Sequence, residues 1–106
     1  MLKFKKINFA EYVLNKCRAE AWELLKDIDF NIRPTKPRLL REGLIKITLQ
    51  FKILGRNNKP DFTCDLDEDN CFLFSLDGEI LKRPYKEEIL LKIEEVKNEY
   101  KMAFLS

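Results

Sequence analysis

GLIKITLQFKILG, residues 43–55, alternates apolar and polar side chains from Ile45 to Ile53. A period of two over this length predicts a β-strand with one apolar face and one polar face. A sheet with one face in water is typical of antiparallel architecture, and a layer of helices is needed to cover the apolar face. We therefore expect an antiparallel sheet that is covered by helices on one side only.

Two flanking segments have helical periodicity. In residues 9–29 apolar side chains recur at helical spacing, and Asn8 stands three residues before Glu11, as in a capping box. From Pro84 to about Ala103 apolar side chains recur at the same spacing, with proline at the position that suits the first turn. One helix is predicted before the sheet and one after it.

Turn-forming residues divide the middle of the chain. Residues 55–60 are rich in glycine, asparagine and proline, and residues 67–70, three of which are acidic, form a second predicted turn. Strands are predicted at 62–66 and 71–76, and the Asp77-Gly78 hairpin sequence predicts a short edge strand at 79–82. Residues 30–42, with Pro34 and Pro37, are predicted to form an extended connection.

The predicted fold class is α+β. Residues 1–106 are expected to form a single domain, a two-layer sandwich of order α-β-β-β(-β)-α. In it an antiparallel meander sheet carries both helices on one face.

The strand at 71–76 does not alternate, since Cys71, Phe72, Leu73 and Phe74 are all apolar. If Leu66 pairs with Cys71 around a four-residue loop, Phe72 and Phe74 lie on the face away from the helices. A slip of one residue reverses that assignment. An apolar patch on an open sheet face marks an interaction site, whereas a central strand covered on both faces has no such role.

Composition excludes several classes of protein. The 106 residues are 45% hydrophobic and 36% charged, as in an ordinary globular domain, and no apolar run is long enough to cross a bilayer or to serve as a signal peptide. We expect a cytoplasmic protein without a membrane partner. The three cysteines are expected to be free thiols, and the absence of histidine removes the commonest general base and metal ligand.

Charges are sorted along the chain. Residues 33–60 contain eight basic residues and one acid, whereas residues 61–79 contain seven acids and no base. Such a sequence favours a charged partner or head-to-tail self-association, or the two blocks neutralise each other across a sheet.

No motif for catalysis or for a cofactor is complete. Asp65, Asp67 and Asp69 have the first ligand spacings of a calcium loop, but Asn70 replaces its glycine and Leu76 its bidentate glutamate. No glycine-rich phosphate loop or nucleophile–histidine pair can be built. We expect neither enzymatic activity nor a bound metal or cofactor.

The element order resembles that of two nucleic-acid-related families. With Pro60-Asp61 opening a strand, it is similar to restriction-endonuclease-like nucleases, but the next strand lacks their acid-x-lysine motif. It also resembles double-stranded RNA-binding domains, which set lysines at the start of the last helix, where Lys82, Arg83 and Lys86 stand here. The histidine usual in that family's strand-joining loop is missing.

Two functions are therefore predicted. The first is a non-catalytic protein-interaction module, such as an inhibitor, adaptor or accessory subunit. It would bind another protein or a second copy of itself through Phe72, Phe74, Leu73 and Cys71, aided by the charged blocks. The alternative is a nucleic-acid-binding module that contacts phosphates through basic residues of the linker and of the last helix start. These are Arg33, Lys36, Arg38, Arg41, Lys82, Arg83 and Lys86.

Overall fold

The computed structural model describes residues 9–29, 31–54 and 60–105. Two helices bracket seven antiparallel strands in this part of the chain, which confirms the predicted α+β class and its helix–strands–helix order. The elements are α1 (Phe9–Lys26), β1 (Ile32–Pro34), β2 (Arg38–Leu39), β3 (Ile45–Ile47), β4 (Leu49–Leu54), β5 (Pro60–Asp65), β6 (Phe72–Phe74), β7 (Ile80–Lys82) and α2 (Lys86–Leu105). The predicted turn at 55–60 lies outside the described residues except for Pro60.

The predicted strand at 43–55 forms the centre of the sheet as two strands, β3 and β4, which Thr48 separates. The hydrogen-bonded sheets have the orders β2-β3-β6-β7 and β1-β4-β5. We call two strands that follow each other in line across the sheet a ribbon. The described strands form four adjacent ribbons: β1 continued by β2, β3 continued by β4, β5 continued by β6, and β7 alone at the edge. This is the predicted meander, but the segment predicted to be a connection supplies its first ribbon.

The pairing of β5 and β6 differs from the predicted hairpin. Gln50 pairs with Asp65 and Ile47 pairs with Phe72, so β5 and β6 lie end to end along the central ribbon. Two residues separate Ile47 from Gln50, whereas six separate Asp65 from Phe72, so four extra residues bulge out of the sheet. The pairing of Leu66 with Cys71, which the sequence analysis considers as one possible register, is not observed. The observed register instead sets β6 opposite the apolar side chains of β3.

The alternation of the central ribbon is confirmed, because its odd-numbered side chains from Ile45 to Phe51 are buried through the break at Thr48. Both helices contribute to the same core cluster, α1 through Val13, Cys17, Ala21 and Leu25, and α2 through Ile89, Ile93 and Val96. Each fully buried valine, leucine, isoleucine or phenylalanine of this cluster contributes about 1.5–3 kcal/mol relative to an exposed one. This shared core supplies most of the hydrophobic stabilisation.

The helices cover different parts of the inner face. The guanidinium of Arg33 in β1 lies 5.7 Å from the ring centroid of Trp22, which fixes α1 beside the first ribbon. The rings of Phe62 and Tyr100 meet edge to face at 5.3 Å, so α2 lies beside β5. The opposite face of the sheet carries no helix in the described chain, and we call it the outer face.

Candidate functional site

The residues predicted to bind a protein do not form an exposed patch. Phe72 is 1% exposed, Phe74 0% and Cys71 3%, and only Leu73 is partly exposed. Of the two assignments that the sequence leaves open, the one observed places Phe72 and Phe74 on the inner face, and the outward assignment is wrong. Because they pair with Ile47 and Ile45, they point into the core and cannot reach a partner unless the core opens.

An apolar groove opens at the end of the sheet where α1 begins. Its lining consists of Ala10, Val13, Leu14, Leu39, Ile45 and Leu76, and its volume is about 220 Å³. The buried side chains of Val13 and Ile45 form the floor, while Leu39 is 61% exposed and Leu76 50% exposed on the rims. Two large apolar side chains therefore stand in solvent beside an apolar depression.

Two tight turns shape this end of the groove. Gly43 has a φ of +79° and Gly78 a φ of +88°, a left-handed conformation that glycine adopts at low cost. The turn at Gly43 connects β2 to β3, and the turn at Gly78 connects β6 to β7. The turn at Gly43 comes within contact distance of Leu76, since a Cβ at Gly43 would lie 3.8 Å from its Cδ1 atom. The two turns thus bring Leu39 and Leu76 to the same groove.

A more polar groove adjoins the apolar groove along α1. Leu14 belongs to both, and the further lining residues are Glu11, Asn15, Arg18, Lys36 and Pro37. Within the described part of the chain, neither Arg18 nor Lys36 takes part in an ion pair. Two cations are therefore free to meet acidic groups of a ligand that lies along α1.

Basic side chains form a row on the outer face. The register aligns Arg38 with Lys46, Lys46 with Leu73, and Leu73 with Lys82, across all four strands of one sheet. Side chains of directly paired residues share a face, so the three cations line up around Leu73. We call Arg38, Lys46 and Lys82 the cation row.

Residues 66–71, which we call the acidic bulge, contact the cation row. The Glu68 carboxylate lies 3.7 Å from Arg38 and 3.9 Å from Lys46. The Nζ atom of Lys82 donates a hydrogen bond of 2.9 Å to the carbonyl oxygen of Asp69. Of the alternatives for the sorted charges, mutual neutralisation is the one observed for these residues.

The predicted phosphate-binding residues do not form one surface. Arg38 and Lys82 belong to the cation row, together with Lys46, which the sequence analysis missed. Arg83 and Lys86 lie instead on the helix side, at an opening that they share with Leu24, Asp27 and Ile28. The remaining three are Arg33 beside Trp22, Lys36 in the grooves beside both α1 and Arg38, and Arg41 exposed in the turn after β2. Alternation places Lys46 on the outer face, but only the strand register shows which cations lie beside it.

The chemistry of the thiols is that of structural cysteines. Cys17, Cys64 and Cys71 are free, as predicted. Burial raises the pKa of Cys17, and nearby Glu20 raises it further. Burial likewise raises the pKa of Cys64, with added contributions from Glu99 and Asp65. Reactive cysteines need a lowered pKa, so neither thiol is activated as a nucleophile.

The calcium-like spacing at residues 65–69 does not form a cation cage. Asp65 accepts a hydrogen bond from the Gln50 amide at 2.9 Å, and Asp67 accepts one from the backbone of Asp69 at 3.0 Å. Among the described residues no three histidine, cysteine or acidic side chains converge in a way that could hold a metal ion.

Cys64 is expected to alkylate slowly, because the thiolate is the reacting form and its pKa is raised above 9.0. Iodoacetamide rates measured against pH, with peptide mapping by mass spectrometry, should give a midpoint above that value. Asp65→Asn removes one nearby negative charge and should lower the midpoint. A midpoint at or below the ordinary thiol value would contradict this assignment.

The same shift gives a pH dependence of stability. In the unfolded chain the Cys64 thiol ionises at its ordinary pKa of 9.0, whereas in the folded protein it stays protonated to higher pH. The contribution of this thiol to the free energy of unfolding is therefore fully present below pH 9.0 and is lost as the pH rises through the folded pKa.

The part of the chain that the structure describes contains no helix with the length and apolar character required to cross a bilayer. Comparisons with protein-family models, with curated proteins and with solved structures find no match. The apolar groove and the cation row are the two candidate functional surfaces of the described residues.

Proposed function

We propose that the chain is a non-catalytic protein-binding module that receives a partner segment in the apolar groove. The observation that carries the proposal is the exposure of Leu39 and Leu76 beside the buried floor of Ile45 and Val13. Contiguous exposed apolar surface of this kind marks interaction sites in soluble proteins. The function is the one predicted from sequence, but its site moves from β6 to the groove.

The size and lining of the groove favour an apolar side chain over a small-molecule substrate. Its volume of about 220 Å³ is below the roughly 300–1,000 Å³ typical of small-molecule sites. All six lining residues are alanine, valine, leucine or isoleucine, so no side chain there can orient a polar substrate or transfer a proton. We therefore propose an adaptor, inhibitor or accessory subunit and not an enzyme.

The adjoining polar groove favours an acidic partner segment. Arg18 and Lys36 line the path that leads out of the apolar groove along α1. Acidic side chains a few residues from the apolar anchors would meet them, and such charges at a rim increase association rate and selectivity. The expected ligand is a peptide segment that combines apolar anchors with aspartate or glutamate.

Selection from a phage-displayed random peptide library tests this proposal with a defined probe. Peptides enriched on the protein should combine apolar and acidic residues. Leu39→Asp should weaken the enriched peptide about tenfold or more, because burying one leucine is worth about 1.5–3 kcal/mol. Fluorescence anisotropy with the labelled peptide measures the change.

Leu91→Asp is the matched control, because Leu91 is a leucine of α2 that is 66% exposed and lies outside the groove lining. This variant should bind the peptide as the parent does. No enrichment, or equal losses in the two variants, would refute the groove as the binding site. Light scattering of the same proteins separates the occupants: a dimer that only Leu39→Asp dissociates would identify a second copy.

A further inference from the structure

The outer face concentrates fixed positive charge in a short distance. Neighbouring strands lie about 4.8 Å apart, so Lys46 stands roughly 5 Å from Arg38 and roughly 10 Å from Lys82 at the backbone. The Lys46 side chain is only 19% exposed, which strengthens its field relative to a fully solvated lysine. The row spans roughly 14 Å of sheet.

Glu68 occupies the place of an anionic ligand on this face. One carboxylate oxygen faces Arg38 and the other faces Lys46, so a single acid bridges two cations. Both contacts are long, and the Glu68 side chain is 73% exposed. Long contacts to an exposed carboxylate are weak because water screens the carboxylate. A competing anion can therefore displace the carboxylate.

The acidic bulge is anchored at both ends, so only its exposed side chains have to move when an anion replaces Glu68. Leu66 is 6% exposed and Asn70 5%, while Asp67, Glu68 and Asp69 between them are exposed. The backbone N–H of Asp69 donates a hydrogen bond of 3.0 Å to the Asp67 carboxylate. Rotation of the Glu68 side chain away from the sheet frees Arg38 and Lys46 without unfolding of the bulge.

The neighbouring surface favours phosphate over bases as the recognised group. A groove of about 400 Å³ adjoins the cation row and is lined by Thr35, Lys36, Arg38, Thr48, Asp65, Leu66 and Glu68. Lysine and arginine are common donors to phosphate oxygens, whereas the Thr35 and Thr48 hydroxyls already bond to each other at 2.7 Å. Among the described side chains, Gln50, Lys52, Thr63 and Asp65 hold outer positions of β4 and β5, and none is an aromatic residue on which an unpaired base could stack.

We infer that the cation row is a binding site for the phosphodiester backbone of a nucleic-acid duplex, which Glu68 masks in the free protein. Binding is independent of base sequence, because backbone contacts carry no direct sequence information. The cation row lies on the opposite face of the sheet from the apolar groove and does not depend on the function proposed for that groove, although Lys36 lines the neighbouring grooves of both. In the free protein the acidic bulge therefore inhibits duplex binding to the outer face.

Glu68→Gln tests the inference, with Glu95→Gln as a control that removes the same charge. Glu95 is 64% exposed in its side chain and pairs with Lys92 at 3.5 Å on α2, away from the outer face. We would titrate labelled DNA and RNA duplexes of mixed sequence by fluorescence anisotropy over a salt series. Glu68→Gln should bind about tenfold tighter than the parent at low salt, with a salt slope steeper by about 1–2 for two freed cations. Glu95→Gln should bind as the parent does.

A second substitution shows whether the gain comes through the cation row. Lys46→Gln added to Glu68→Gln should abolish the gain, and circular dichroism of each variant verifies that it is folded. Equal gains from Glu68→Gln and Glu95→Gln would overturn the inference in favour of net charge alone. Absence of duplex binding in every variant would overturn it. A Glu68→Gln variant that binds polyglutamate more tightly but duplexes no more tightly than the parent would also overturn it. That result would assign the face to acidic peptides. Binding of either duplex with the expected order of variants supports it.

Discussion

Phe74→Ala is expected to lower the free energy of unfolding by about 3–5 kcal/mol, the usual cost of removing a buried phenylalanine ring. Phe74 is 0% exposed, pairs with Ile45 across the sheet, and lies 6.0 Å from the ring of Phe72. The truncation leaves a cavity at the centre of the layer between sheet and helices. Urea denaturation followed by circular dichroism measures the change, with the slope serving as a check on two-state unfolding.

Leu73→Ala provides the matched comparison in the same strand. Leu73 points to the outer face and is only partly buried, so its truncation should cost about 1 kcal/mol. Equal losses, or a larger loss at Leu73, would mean that β6 faces the other way. Such a result would restore the exposed aromatic patch that the hairpin register predicts.

The sequence predicts local periodicity well and register poorly. From Ile45 to Phe51 the pattern has one apolar parity, so only one face of the ribbon can be buried. In β6 both parities are apolar, and the period of two cannot choose between them. The choice depends on which strand β6 pairs with, and that partner lies more than twenty residues earlier in the chain.

Two prolines led to the prediction of a connection where the first ribbon of the sheet lies. Pro34 and Pro37 indicate a connection because proline cannot donate to a ladder. Pro34 nevertheless ends β1, which is an edge strand of its sheet, where a missing donor is tolerated. The interpretation as extended backbone was correct, but the sequence does not show that this backbone would find a partner in β4.

The candidate surfaces depend on the same non-local information. Leu39 and Leu76 are separated by 37 positions in sequence, and α1 completes the groove from a third segment. Arg38 was predicted to bind phosphate from the basic linker and Lys82 from its place before the last helix, yet only the pairing of β3 with β6 sets Lys46 between them. A residue pattern identifies which side chains are available, and the register determines which of them act together.

Lys46→Cys combined with Leu73→Cys should form a disulfide that stabilises the protein by about 3–4 kcal/mol, as the loop-entropy relation gives for a closed loop of roughly 27 residues. The two positions are directly paired on the outer face. Directly paired residues of antiparallel strands have Cα atoms about 4.5–5.5 Å apart, within the range that a disulfide spans. Peptide mapping under non-reducing conditions identifies the bond, and urea denaturation with and without reductant measures its effect.

Leu73→Cys alone distinguishes the two registers, because the chain already carries Cys64. In the predicted hairpin Leu73 stands opposite Cys64, and the single variant would cross-link to it on oxidation. In the observed sheet Cys64 pairs with Phe51 on the inner face, while Leu73 pairs with Lys46 on the outer face. The single variant should therefore remain reduced within the chain, and a bond between positions 64 and 73 would overturn the register on which the cation row depends.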